Sequence, residues 1–275
     1  MGGKSPFMQK IKEILDEIDP EILSYYEDEF WLYERYYDYV KRYAAERRLY
    51  CTAVALPLVR GLHNGIYRKS SIVKDGVSYR LPYVIHCLKV CSTLIDLALP
   101  LETEQLDTVL ASALCHDLIE DIDFPNGGTE LYTDYHLSEK IYETVKVLSK
   151  RRDFTEEEHK AYFRNIQENP LALLVKLADR GNNVEDLYNM SIWKVHEYVQ
   201  ETRIRIFPMC SYARSHYPEI MSSFVILQDK MKTLTEIAEV LVNRYEEQDA
   251  KLLGRLEVLQ EENLKLRNRM MELNL

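Results

Sequence analysis

Three short strings place imidazoles and carboxylates inside segments whose other residues recur at the three-to-four spacing of buried helices. That conflict constrains the fold of this chain more than any other feature. The strings are His86 within LPYVIHCLKV, His116-Asp117-Leu-Ile-Glu120-Asp121, and Lys176-Leu-Ala-Asp179-Arg180-Gly-Asn-Asn183. A polar group buried on an apolar helix is costly unless it is partnered. The economical solution is for the three helices to converge on one metal ion.

The local spacings fit this reading. Adjacent helical residues point about 100° apart, so His116 and Asp117 can reach one ion together. Glu120 follows them by four and three residues and Asp121 follows Asp117 by four, which extends one acid-rich helix edge. Asn183 stands one turn beyond Asp179 and puts an amide on the same face. The histidines His63, His136, His159, His196 and His216 lack partners of comparable spacing. They read as surface or structural residues, with His136 a candidate ligand for a second metal.

Helical periodicity governs most of the chain. From Leu81 onward, with Pro82 suited to a first helical turn, Val84, Ile85, Leu88, Val90, Leu94, Ile95 and Leu97 supply apolar surface. A second helix follows Thr103 and ends in the His-Asp motif. Further helices are expected at about 137–149, 155–168, 170–187 and 192–206. Residues 123–129, with Pro125, Gly127 and Gly128, read as a loop at the mouth of the site. Residues 8–59 alternate acidic and aromatic character and read as two or three helices broken near Asp19-Pro20, with tyrosines packing on the following domain. Strand character is confined to Ile72–Tyr79, where Asp75-Gly76 carries a hairpin signature.

The C-terminal segment repeats leucine every seven residues, at Leu252, Leu259, Leu266 and Leu273. With these at d, Val242, Asp249, Leu256, Asn263 and Met270 occupy a. Asn at a and Leu at d favour a parallel two-stranded coiled coil, and Glu262 can pair with the Arg267 of a second chain. A homodimer through this helix is expected, the alternative being a helix folded back antiparallel onto its own domain.

Composition narrows the function classes. The net charge of −10 argues against nucleic-acid binding, which requires a basic footprint. Local basic clusters at Arg60, Arg68, Lys69, Lys74 and Arg80, and at Lys146, Lys150, Arg151 and Arg152, suit a small anionic ligand. The cysteines Cys51, Cys87, Cys91, Cys115 and Cys210 form no CxxC pair, and their odd number suits a cytoplasmic location better than a disulfide framework. Zinc held by Cys87, Cys91 or Cys115 is a competing reading, but small thiols packed behind a helix are the commoner outcome. No apolar run approaches a membrane span, so no membrane association is expected.

Mixed nitrogen and oxygen ligands accommodate manganese, iron or zinc alike. An ion so held lowers the pKa of its water and polarises phosphorus while Glu120 or Asp121 accepts a proton, which gives metal-assisted hydrolysis of a phosphate ester or pyrophosphate.

With these residues in place, the chain resembles the HD-domain phosphohydrolases, whose signature is H…HD…D. More narrowly it is similar to the hydrolase domain of the RelA/SpoT-type alarmone enzymes and their hydrolase-only small relatives. The tokens are Arg68-Lys69 ahead of Pro82-Tyr83-Val-Ile-His86, then HDLIED at 116–121, KLADRGNN at 176–183, and Glu201-Thr202 through Phe207-Pro208. The match covers roughly residues 60–215. It implies a Mn²⁺ ion held by His86, His116, Asp117 and Asp179. Glu120 and Asp121 would activate water for release of a 3′-pyrophosphate from (p)ppGpp, the nucleotide of the stringent response. Arg68 and Lys69 would lie near the base, Asn183 against the nucleoside or the attacking water, and Lys150 and Arg151 near phosphate.

The implied fold is all-α: an HD-domain helical bundle with a small β-hairpin insertion and a C-terminal coiled-coil helix. It divides into a helical extension at 1–59, the hydrolase domain at 60–232 and the coiled coil at 233–275. No synthetase half is visible, so hydrolase-only activity is expected. Departures from the family pattern leave other substrates open. The linker between Arg68 and Pro82 is long, with Arg80 a substitute for a displaced Arg68. Cys87 and Ile122 replace commoner residues, and Gly181 and Asn182 replace bulkier ones near the expected base pocket. The alternatives are an HD-type phosphatase for an adenosine alarmone, NADPH or a nucleoside monophosphate, and a regulatory nucleotide-binding protein signalling through its coiled coil.

Overall fold

The computed structural model describes residues 20–68, 72–74, 77–151 and 153–272. Lys69, Arg152 and Leu273 lie outside the described residues, as does the Asp75-Gly76 pair. The chain is mostly helical. α1 (Pro20–Arg47) and α2 (Tyr50–Leu62) precede two three-residue strands, β1 (Ile72–Lys74) and β2 (Val77–Tyr79). The strands pair antiparallel with Val73 opposite Ser78. Then follow α3 (Val84–Asp96), α4 (Thr103–Cys115), and the single turns α5 (Leu118–Asp121) and α6 (Glu130–Thr133). α7 (Glu139–Leu148), α8 (Glu156–Glu168), α9 (Pro170–Glu185), α10 (Ile192–Glu201), α11 (Phe207–His216) and α12 (Met221–Glu272) complete the order.

One apolar core spans α1 through the start of α12, and the site-bearing helices α3, α4 and α9 pack against one another within it. Leu88, Leu110, Leu114, Leu173 and Leu174 are fully buried there, each worth about 1.5–3 kcal/mol of transfer free energy. Tyr33 is buried in the same core and Tyr36, Tyr37 and Tyr43 pack against it, whereas Tyr39 is exposed and donates its hydroxyl to Asp96 at 2.6 Å.

Local chemistry explains where the key helices begin. α9 starts at Asn169, whose Oδ1 accepts from the Leu171 and Ala172 amides at 3.1 and 3.0 Å, with Pro170 preset in the first turn. α8 starts at a reciprocal Thr155–Glu158 capping box. The helix expected to run to 206 ends instead at Glu201 and widens into a π turn over Thr202–Ile206. Pro208, in the first turn of α11, has no N–H to return to the turn before it.

Pro82 also departs from expectation, standing ahead of α3 and forming a bridge with Tyr67. The Arg68 amide donates to the Leu81 carbonyl at 2.9 Å, and the Tyr83 amide to the Ile66 carbonyl at 2.9 Å. This pairing closes the base of the 69–80 segment, so its length does not displace Arg68. Arg68 is buried, whereas Arg80 is exposed.

α12 is one continuous helix used in two ways. Phe224, Met231, Thr235, Ala238 and Val242 recur on one stripe and are buried against the domain, the last two in a smaller core with Val184, Leu187, Val195 and Val199. Further along the same stripe, Tyr245, Leu252, Leu256 and Leu259 are exposed. Among the described residues, no helix is long and apolar enough to cross a membrane.

Candidate metal centre

α3 delivers His86, the end of α4 delivers His116 and Asp117, and the middle of α9 delivers Asp179. One ligand atom from each of His86, His116 and Asp179 lies within 4.8 Å of the other two. His86 Nε2 stands 3.1 Å from Asp179 Oδ1, and His116 Nε2 stands 3.7 Å from the same oxygen. Asp117 completes the group, its Oδ2 being 2.9 Å from His116 Nε2 and 3.8 Å from His86 Nε2.

Each imidazole is oriented from behind. His86 Nδ1 is 2.7 Å from Asn182 Oδ1, and His116 Nδ1 is 2.9 Å from the Ala113 carbonyl. Donation from Nδ1 to these acceptors turns both Nε2 atoms inward, the arrangement that metal-binding histidines use. His116 Nε2 is fully buried and has no hydrogen-bond partner among the described residues. An orphaned inward nitrogen, a second imidazole nitrogen and two carboxylates fit a borderline divalent cation.

The charges are set by the same packing. Burial lowers the pKa of His86 and keeps it neutral. Burial opposes ionisation of Asp117 and Asp179, yet His116 beside the first and Lys176 beside the second hold both carboxyls below the usual range. Burial also opposes a proton on His116, but the flanking Asp117 and Asp179 outweigh it and raise its pKa.

Around the ligands, Asn183 donates from Nδ2 to Asp179 Oδ1 at 2.6 Å and accepts from Arg68 at 2.8 Å, which links the predicted base-side arginine to a ligand. Arg68 also meets Asp186 at 3.2 Å. Glu120 accepts from the Lys150 amide at 2.6 Å, and partial burial raises its carboxyl pKa although the side chain reaches solvent. Burial lowers the Lys150 pKa. Arg151 does not join the centre: it is exposed and pairs with Glu158 at 2.8 Å, tied to the cap of α8. His136 is exposed at a left-handed backbone position, away from any metal-binding group among the described residues.

Several contributors escape a reading by motif. Tyr83 donates its hydroxyl to Asp117 Oδ2, and burial together with that carboxylate raises its pKa and keeps it protonated. Lys176 reaches Asp179 Oδ2 at 3.2 Å; burial opposes its charge, but Tyr162 and Asp179 hold its pKa above the ordinary value. Arg180 pairs with Glu201 behind α9. His63 is buried with its Nε2 3.6 Å from Asp121 Oδ2. Lys176 carried a signal, since it stands one turn before Asp179 on the same face; His63 carried none.

The thiolate alternative finds no support. Cys87, Cys91 and Cys115 are buried, and none belongs to a metal-binding group among the described residues. Burial pushes the Cys115 thiol up to about 12, which opposes the thiolate a zinc ion needs. Gly181 and Asn182 are both buried. A Cβ on Gly181 would meet Met231 of α12 at 3.7 Å, and Asn182 is the buried acceptor behind His86. No family model matches the chain, and no curated protein matches it.

Proposed function

We propose that the chain is a metal-dependent phosphohydrolase of the HD type that removes the 3′-pyrophosphate from (p)ppGpp-type alarmones. The observation that carries this reading is the convergence of His86, His116, Asp117 and Asp179 from three helices, with both Nε2 atoms inward and both Nδ1 atoms fixed from behind. Mn²⁺ is the proposed ion, with Fe²⁺ or Zn²⁺ chemically admissible. When bound, the ion supplies charge neutralisation at phosphorus and acidifies water.

The chain's own groups do the remaining work. Glu120, with its raised pKa, and Asp121, on the next residue at the exposed rim, are placed to accept the proton of the attacking water. Asn183 and Lys176 hold Asp179 from two sides, so the carboxylate does not swing as charge changes during the reaction. Arg68, packed over the Tyr83 ring at 5.7 Å, offers a cationic plane for a base, and Lys150 offers charge for a phosphate. The substrate proposal draws on the KLADRGNN and HDLIED resemblance. It is helped by Gly181 and Asn182 facing away from the ligand side. Pyrophosphate release from ppGpp with Mn²⁺, abolished in Asp117→Ala, is the expected result. Release from an adenosine alarmone, NADPH or a nucleoside monophosphate in its place moves the substrate within the same chemistry. Stoichiometric metal with no turnover of any of them rejects the hydrolase reading.

The exposed half of α12 supports a homodimer. Its a and d side chains continue a stripe that the domain itself covers up to Val242, and beyond it Tyr245, Leu252, Leu256 and Leu259 stay exposed although most helical stability in proteins comes from packing an apolar face. In the parallel register Glu262 would face the Arg267 of a second copy, while Asp249 at a would face its own copy and shorten the apolar seam. Light scattering of the full chain should give twice the chain mass of 32.5 kDa, and Leu252→Asp with Leu259→Asp should return the monomer. A monomeric parent chain removes the proposal.

A further inference from the structure

Outside the ligand set, His63 is the buried ionisable side chain whose surroundings least satisfy it. It caps the C-terminus of α2, its side chain has no exposed surface, and among the described residues neither Nδ1 nor Nε2 has a hydrogen-bond partner. Its backbone is fixed on both sides, the amide donating to the Val59 carbonyl at 3.0 Å and the carbonyl accepting from the Ile66 amide at 3.0 Å. The ring lies 5.1 Å from the Tyr83 ring, whose hydroxyl reaches Asp117. Among the described residues, the carboxylate in front of Nε2 is that of Asp121, its Oδ2 at 3.6 Å.

The two partners differ in freedom. His63 is immobile in the core, while the Asp121 side chain is 32% exposed at the rim of the centre. A closer approach of well under 1 Å, made by the carboxylate, brings the pair within hydrogen-bond distance. We infer that His63 is a positioning residue for Asp121: its Nε2–H donates to Oδ2 and turns the other carboxylate oxygen toward the space above His116 and Asp117. The imidazole touches neither the ion nor the substrate. It acts by restricting a carboxylate that would otherwise sample many rotamers at the surface.

The contact stands on geometry alone, whereas its catalytic consequence rests on the hydrolase reading, so the test separates the two. In the full-length ¹⁵N-labelled protein, the His63 imidazole should appear as the Nε2–H tautomer, and Asp121→Asn should shift its Nε2 resonance while leaving the His159 and His196 resonances in place. An Nδ1–H tautomer, or a His63 signal indifferent to Asp121→Asn, overturns the inference whether or not any nucleotide is hydrolysed. Where a nucleotide is turned over, His63→Phe should lower kcat roughly 10- to 100-fold with little change in KM, and His63→Gln, which keeps a donor, should recover most of it. The losses in His63→Phe and Asp121→Asn should also fail to multiply when combined. Fully multiplicative losses, or no recovery in a folded His63→Gln protein, overturn it equally.

Discussion

α9 and the outer half of α12 are both helices with residues in the wrong environment, and they resolve the conflict in opposite ways. In α9 the anomalous residues are polar and buried, and they find partners within the chain: Asp179 with Lys176, Asn183 and both imidazoles, Arg180 with Glu201, and Asn182 with His86. In outer α12 the anomalous residues are apolar and exposed, and the domain does not cover them. A buried polar cluster that completes itself builds a centre in a single chain. An exposed leucine stripe that does not complete itself is, on the proposed reading, the surface a second chain would cover. Changes in α9 should therefore act on metal, catalysis and melting at any protein concentration, whereas changes beyond residue 245 should act only on association.

The largest expected effect is at Asp179. Asp179→Ala removes the oxygen shared by His86 and His116 and leaves the buried Lys176 ammonium without its carboxylate. Hydrolysis should fall to background and bound metal, measured by elemental analysis, to well below one ion per chain. Stoichiometric metal in a folded Asp179→Ala protein would falsify the placement of α9 at the heart of the centre.

Glu201→Gln comes next and tests the self-completion of α9 without touching a ligand. Arg180 is buried and its NH1 already lacks a partner among the described residues. Removing the Glu201 charge should cost about 2 kcal/mol, less than for a fully enclosed pair because Glu201 reaches solvent. For a chain of this size that lowers the melting point by roughly 4–8 °C. Burial resists ionisation of Glu201, but Arg180 outweighs it and holds the carboxyl below its usual range. Its stabilisation is therefore full above the unfolded value of about 4.3 and is lost as pH falls through the lower folded value. The melting difference between parent and variant should persist at neutral pH and close in acid.

The candidate ligands were legible in the sequence because helical periodicity makes a polar residue in an apolar segment conspicuous: His86, His116 and Asp179 each interrupt such a run. Their supports were not legible, because the partners meet only in the folded chain. Tyr83 reaches Asp117 across 34 residues and Arg68 reaches Asn183 across 115. His63 read as surface or structural, and burial against Asp121 emerges only when α2 packs on α4. The same tertiary placement kept Arg151 out of the centre, since the cap of α8 claims it. Pro82 is a local failure of a different kind: suitability for a first turn lost to strand-like pairing with Tyr67.

Asn182→Leu tests the orienting layer. The substitution keeps the branched heavy-atom outline, although in a larger side chain, and leaves His86 Nδ1 without its acceptor; support of this kind is typically worth 10- to 100-fold in metal affinity. Titration with a competing chelator should show a loss in that range, with the protein still folded. An unchanged affinity would mean that the packing of α3 alone fixes the His86 ring.

The smallest effect probes the junction where the two behaviours of α9 and α12 meet. Gly181 sits inside α9, and a methyl group there would face Met231 Cγ at 3.7 Å, an ordinary van der Waals separation. Its neighbours Arg180 and Asn182 point to other partners, so the added carbon displaces neither. Gly181→Ala should thus gain the helix-propensity difference of about 0.5–1 kcal/mol and raise the melting point by roughly 1–4 °C, with metal affinity and dimer mass unchanged. A lower melting point would show that α12 must approach α9 more closely than a methyl group permits. The inner half of the long helix would then be fitted to the glycine itself, and the boundary near Val242 between domain-bound and exposed stripe would be set by backbone approach at Gly181 as well as by the supply of apolar side chains.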